Sequence, residues 1–264
     1  MTSGPLSCWI VLLDIENFGM RDDAVQAMLR REMYQVAEFA LTRAGVDLGQ
    51  CLMEDRGDGV LILIPSATPP TRLLQEFTWG LENDLVAHQE RYNDNYRMRL
   101  RVGLNHGPVV LDSRGRTGTD IADLARLVDA EPVRQVFARA SRAHLVLVVS
   151  DNVYRSMVRG GDRGIDLAAF GPTDFVTKHG QTLRGWVTVP GYPALPEGLL
   201  EVRGDRRDEP RGDRPDGGSV TPLDSHVSDS VFLPPHGVTT PMSHTPPGPL
   251  HDPDDDWPRE TPEP

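Results

Sequence analysis

The chain has 264 residues, room for one large domain or two small ones. Apolar residues make up 38% and the formal net charge is −12, a balance that argues against gripping a nucleic-acid backbone. Two cysteines, Cys8 and Cys51, cannot make a disulfide framework. No apolar run approaches the roughly 18 residues that span a bilayer, and the N-terminus lacks the basic stretch of a signal peptide, so a cytoplasmic location is expected.

The run Cys8 to Leu13 is short, apolar and β-rich, which predicts a buried strand with Asp14 directly after it. From Asp22 to about Ala44 a helical spacing follows, with Val25, Met28, Leu29, Tyr34, Val36, Phe39 and Ala40 as its apolar positions and Gly45 as its stop. Two β-rich runs between Gln50 and Pro65 flank Arg-Gly-Asp-Gly, a hairpin signal that places Asp58 at the tip. Thr71 to about Arg91 reads as a second amphipathic helix with Leu73, Leu74, Phe77, Leu81, Leu85 and Val86 inward. Met98 to Leu104 alternates like a strand with one wetter face, and Val109 to Leu111 is its expected hairpin partner across Asn105 to Pro108. Arg114 to Thr119 reads as a polar loop. Asp120 to Val128 and Pro132 to Ala140 read as two helices, since Pro132 suits a first turn. His144 to Val149 is a buried strand, Ser150 and Asp151 cap a helix through Met157, and Asp174 to Val189 forms two short strands around His179-Gly180. Helices alternating with strands, some of them hairpin partners, give an α+β domain with helices packed on a mixed or antiparallel sheet.

Beyond this the composition changes. Pro196 to Pro264 holds 14 of the 23 prolines and 15 Asp or Glu against 6 Arg and no Lys. Such a stretch cannot bury enough apolar surface to offset its ordering entropy, so a folded domain over 1–192 and a disordered acidic tail over 193–264 are expected. The run Asp252 to Trp257 is a solubilising end or, with Trp257 as anchor, a docking motif for a protein partner.

Two acidic positions carry the chemistry. Asp14 lies at the carboxyl end of the first strand and Asp58 at the hairpin tip. If the hairpin pairs beside that strand, their carboxylates converge at one edge of the sheet, the arrangement a two-metal phosphoryl-transfer site needs. Taken singly, Asp14 also reads as a cap and Asp58 as a turn residue. No zinc spacing, P-loop or Gly-x-Ser-x-Gly is present.

Four stretches in order carry a resemblance: Leu13-Asp14-Ile15-Glu16-Asn17-Phe18, Asp55-Arg56-Gly57-Asp58-Gly59-Val60, Arg101-Val102-Gly103-Leu104-Asn105-His106-Gly107-Pro108-Val109-Val110 and Ala125-Arg126-Leu127. Over about residues 8–190 the chain resembles the class III nucleotide cyclase catalytic domain, the adenylate and guanylate cyclase family, as a divergent bacterial-type member. The resemblance implies a ferredoxin-like cyclase fold. It also implies conversion of a nucleoside triphosphate to a 3′,5′-cyclic mononucleotide and pyrophosphate, with two Mg²⁺ or Mn²⁺ ions on Asp14, the Ile15 carbonyl and Asp58. Glu54, four positions before Asp58, falls on the base-reading position, where glutamate goes with guanine. Arg126 falls on the arginine that stabilises the transition state, and Lys178 on the lysine that binds the triphosphate. A homodimer is implied, with metals from one subunit and the arginine from the other. Two positions depart from the pattern: Ala122 stands where the family has a ribose-orienting asparagine, and Gly115 at the second base-reading position. Glu54 with Asp55 and Arg56 also reads as a charged hairpin flank, and Lys178 as an exposed lysine in a turn. The alternative function is a cyclase-like module retired from catalysis that binds a nucleotide or a protein partner as a regulator.

Overall fold

The computed structural model describes residues 4–112, 115–159, 167–177, 180–192 and 195. The chain divides into a unit spanning Met1–Asp208 and a second spanning Glu209–Pro264. The second lies wholly outside the described residues, as does the tail expected over 193–264, residue 195 aside.

Strand β1 (Leu6–Ile15) runs two residues past the expected apolar run at each end, because it is paired along both edges. Trp9, Val11, Leu13 and Ile15 enter one core while Cys8 and Ile10 enter the other, the period-two alternation of a strand covered on both faces. Helix α1 (Asp23–Arg43) follows, capped by the Asp22 carboxylate, which accepts from the Val25 N–H at 2.9 Å. It buries Val25, Leu29, Met33, Val36, Ala37, Ala40 and Leu41. Phe39, expected inward, is 62% exposed, because the helix presents Ala40 and Leu41 to the core instead. The expected hairpin forms as β2 (Leu52–Asp55) and β3 (Gly59–Pro65), closed by Arg56 N–H donating to the Gly59 carbonyl at 2.9 Å. The second helix opens on a π-helical stretch, Arg72–Phe77, and continues as α2 (Thr78–Arg91), with Val86 at its exposed margin rather than in the core.

The expected turn at Asn105 to Pro108 does not occur. Strand β4 runs unbroken over Leu100–Asp112 because β1 pairs along its first ten residues, from Ile15↔Leu100 to Leu6↔Val109. Asn105 is buried inside this strand, where it donates to Asp120 and accepts from the Ser150 hydroxyl at 2.7 Å. The partner that turns back on β4 is β5 (Gly115–Thr117), inside the stretch read as a polar loop. Helices α3 (Thr119–Val128) and α4 (Glu131–Arg139) lie as expected, with Pro132 in the first turn of α4. Strand β6 (Leu145–Ser150) is buried at every position. The expected helix through Met157 is a short α5 (Asp151–Val153) running into a π-helical stretch. Strands β7 (Gly171–Val176) and β8 (Thr182–Thr188) form the expected final pair.

The strands form one mixed sheet in the order β2-β3-β1-β4-β6-β8-β7, with β5 paired to β4; β4 and β6 are parallel and the other pairs antiparallel. The apolar residues of α1 and α2 pack on one face and those of α3 and α4 on the other. Gly103 on β4 is the seat of α3: a Cβ there would lie 2.5 Å from Val128 Cγ2 and 2.8 Å from Leu124 Cδ1. Among the described residues no helix is long and apolar enough to cross a membrane.

Candidate active site

Because β1 sits between β3 and β4, Asp14 has Gly59 as one cross-strand neighbour and Arg101 as the other. The hairpin tip is drawn against β1 by the Ile15 N–H, which donates to the Asp58 carbonyl at 2.9 Å. Only glycine fits next to Asp58: a Cβ on Gly59 would lie 2.2 Å from the Leu13 carbonyl oxygen. Asp14, Ile15 and Asp58 are thus brought together at one end of the sheet.

Asp14 Oδ2 accepts from Arg101 Nε at 2.7 Å and forms an ion pair with its Nη2 at 2.5 Å. Burial pushes the Asp14 carboxyl up to about 6 against the pull of the Arg101 charge and hydrogen bond, and the charges of Asp58 and Asp129 push the same way as burial. The Asp58 side chain is exposed and its carboxylate makes no hydrogen bond or ion pair among the described residues. Sequence reading missed Arg101 as a site residue. Its alternation with Leu100 and Val102 was visible, but which strand would face it was not.

Asp14, Asp58 and Arg101 open onto a cavity of about 650 Å³. Leu12, Leu13 and Leu61 of the sheet form one wall, Ile121, Ala122 and Ala125 of α3 another, and Arg116, Thr117 and Gly118 a third. Ala122, the position that departs from the asparagine pattern, therefore lines the cavity. Arg126 does not. It pairs with Asp123 at 2.6 Å and borders a separate depression of about 400 Å³ beside Glu131, Phe175 and Thr177. Lys178 lies outside the described residues. Glu54 stands on β2, two positions along the sheet from Asp14 through the register Glu54↔Leu61↔Leu12. Its carboxylate is held by Arg56 at 2.9 Å on Oε1 and by Arg116 at 2.6 Å on Oε2.

A divalent cation of the kind the fold implies needs oxygen donors. Two carboxylates face one space, one of them exposed and unpaired, and their mutual repulsion is what a cation relieves. No group of three His, Cys, Asp or Glu residues is assembled among the described residues. The donor set therefore fits magnesium or manganese, which take one or two carboxylates and complete their shell with water and phosphate oxygens, and does not fit an all-protein cage.

No known protein-family model matches the chain, and no curated protein does. Solved structures do. The guanylyl cyclase Cya2 is 15% identical over 75% of this chain and 97% of its own, with a TM-score of 0.52. An adenylate/guanylate cyclase/hydrolase from Silicibacter pomeroyi is 18% identical over 70% of this chain and 98% of its own, TM-score 0.49. The guanylate cyclase domain of RhGC from Catenaria anguillulae, in complex with GTP, is 17% identical over 70% and 97%, TM-score 0.45. The likeness to Cya2 carries the fold assignment. The chain has the fold of a class III nucleotide cyclase catalytic domain, in a divergent sequence.

Proposed function

We propose that the protein is a nucleotide cyclase, converting a nucleoside triphosphate to a 3′,5′-cyclic mononucleotide and pyrophosphate. The observation that supports this best is the meeting of Asp14 and Asp58 at one end of a nucleotide-sized cavity. In this reading Asp14, Asp58 and the Ile15 carbonyl hold Mg²⁺ or Mn²⁺, two ions in all. When bound, the metal supplies a lowered pKa for the ribose 3′-hydroxyl and neutralises triphosphate charge. Arg101 fixes the Asp14 carboxylate in one orientation through its two nitrogens. The aliphatic surfaces of Leu12, Leu61, Ile121 and Ala125 give the nucleotide an apolar wall to pack against. Arg126 stabilises the charge that develops at the α-phosphate, Lys178 binds the triphosphate, and Glu54 serves the base. Since Arg126 borders a different depression from Asp14 and Asp58, we place it in the site of a second copy, which makes the working form a homodimer. We assign the activity to residues 1–192, with 193–264 as an appended tail that engages a protein partner, and place the protein in the cytoplasm with its substrate.

The test is incubation of the purified protein with each of the four nucleoside triphosphates and Mn²⁺, reading pyrophosphate and cyclic product. A cyclic product from at least one triphosphate is expected, and Asp14→Asn and Asp58→Asn should each reduce the rate by about 100-fold or more, the cost of several kcal/mol of transition-state stabilisation. Near wild-type turnover by either variant would overturn the assignment of the carboxylates.

Two observations favour the second reading, a retired module that binds nucleotide without turning it over. Ala122 offers the cavity no polar atom, and Arg101 already holds Asp14 with a positive charge. Binding of a triphosphate with no product from any of the four would establish it.

A further inference from the structure

The turn that carries Asp58 is tied to a helix as well as to the sheet. The exposed Asp58 carboxylate has no partner of its own among the described residues, so its place is inherited from the chain around it. On one side stands β2, the outermost strand, four residues long and paired with β3. The end of such a strand frays unless something else holds it. Asp55, its last residue, supplies the hold. One carboxylate oxygen accepts from the Gly57 N–H at 2.8 Å and fixes the turn, in which Gly57 takes a φ of 86° that favours glycine. The other accepts from the Tyr34 hydroxyl at 2.9 Å and from Arg30 Nε at 2.7 Å, and Arg30 Nη2 pairs with the same oxygen. Arg30 and Tyr34 lie one turn apart on the same face of α1. Slight burial raises the Asp55 carboxyl, but the Gly57 N–H, Arg30 and Tyr34 outweigh it and hold the carboxyl below the ordinary aspartate value. Both members of the ion pair are partly exposed, so it contributes little stability. What it can contribute is position.

We infer that Asp55 is a positioning residue for the metal site: clamped to α1 by Arg30 and Tyr34, it fixes the turn so that the unsupported Asp58 carboxylate stays beside Asp14. The clamp acts through the backbone of the turn, since Asp55 touches neither Asp58 nor Asp14 through its side chain. Groups behind a metal ligand govern affinity in this way, by restricting where the ligand can be. The inference rests on reading Asp14 and Asp58 as ligands of the divalent ion.

Mn²⁺ binding to the full chain, read from the loss of the free-ion electron paramagnetic resonance signal, tests it without turnover. Asp58→Asn should weaken binding most. Asp55→Asn keeps an oxygen for the Gly57 N–H but turns an amide N–H group on Arg30, and should weaken Mn²⁺ about fivefold or more. Arg30→Gln separates position from charge. It removes a positive charge, so electrostatics alone would tighten Mn²⁺ binding, whereas a lost clamp weakens it. We expect a weakening of about the size seen for Asp55→Asn. With Asp55 already alanine, Arg30→Gln should weaken binding no further. Tyr34→Phe changes no charge and should weaken it by about twofold or more. Arg184→Gln breaks a similar exposed pair with Asp174 at the other edge of the sheet and should leave the affinity unchanged. The inference is overturned if Arg30→Gln tightens Mn²⁺ binding or leaves it unaltered, or if Asp55→Asn leaves it unaltered. Should thermal melts show that these variants do not fold, Tyr34→Phe decides, and unaltered binding there overturns the inference. If Asp58→Asn weakens binding while the clamp variants do not, this inference alone fails. If the clamp variants weaken it and no cyclic product forms from any triphosphate, the cyclase reading alone fails. A wild type that binds no Mn²⁺, or an Asp58→Asn variant that binds it as well, removes both.

Discussion

Asp14 is the residue on which opposing forces meet. Burial raises its carboxyl and Arg101 lowers it, and burial wins, leaving it at about 6 against 3.8 for a free aspartate. The folded chain therefore takes up a proton between pH 6 and pH 4 that the unfolded chain does not, so this residue's contribution to stability rises as pH falls through that window and is lost as pH rises through about 6. Asp14→Asn has no such titration. In urea melts without divalent metal, the wild type should gain about 1–3 kcal/mol on Asp14→Asn between pH 7 and pH 4. A difference that stays flat across the window would mean that the ion pair with Arg101, not burial, sets the carboxyl. The same pair explains why a carboxylate this enclosed is tolerated: removing Arg101 would leave it without compensation, a loss far larger than that of a surface pair.

At the scale of the element, α3 is one wall of the cavity and Gly103 sets where it rests. Gly103→Ala would drive a Cβ into Val128 and Leu124. We expect a loss of about 1–3 kcal/mol from overpacking, read as a lower melting temperature. Because Ala122 and Ala125 line the cavity from this helix, nucleotide affinity should fall as well; unchanged binding would show that α3 is not a wall of the working site. Elements of this kind were partly legible in the sequence. The Asp-Gly turn between two β-rich runs, the apolar run of β6 and Pro132 at a helix start are local signals, and each lies where the sequence placed it. Strand β4 was misread because Asn-His-Gly-Pro is turn chemistry by composition, while its actual conformation is imposed by ten residues of β1 pairing along it. Phe39 was read inward by spacing alone, and the phase of α1 was settled by the sheet beneath it. In the site, Asp14 and Asp58 were legible from their places at strand end and turn. Arg101 and the bridge from Glu54 to Arg116 were not, since both depend on which strands lie side by side.

For the whole molecule, the separation of Arg126 from the carboxylates of its own chain has a direct test. If one copy supplies Asp14 and the other Arg126, then Asp14→Asn and Arg126→Ala, each inactive alone, should regain activity when mixed and allowed to exchange subunits. A two-fold dimer with random exchange would recover about a quarter of wild-type turnover, since half the dimers are mixed and one of their two sites is intact. No recovery, with exchange shown by an independent label, would place Arg126 in its own chain's site or in none. The position of β1 bears on how such a protein comes into being. It is the first strand made and one of the most interior, and its neighbours β3 and β4 begin about fifty and ninety residues later. On the ribosome β1 waits with both edges unpaired, an apolar ribbon open to wrong partners, until β3 and β4 have emerged. Asp14 and Arg101, 87 positions apart, meet only at that moment. The residues that line the cavity run from Leu12 to Asp129, so a chain interrupted before β4 lacks the site and carries, in the two open edges of β1, what a chaperone would hold.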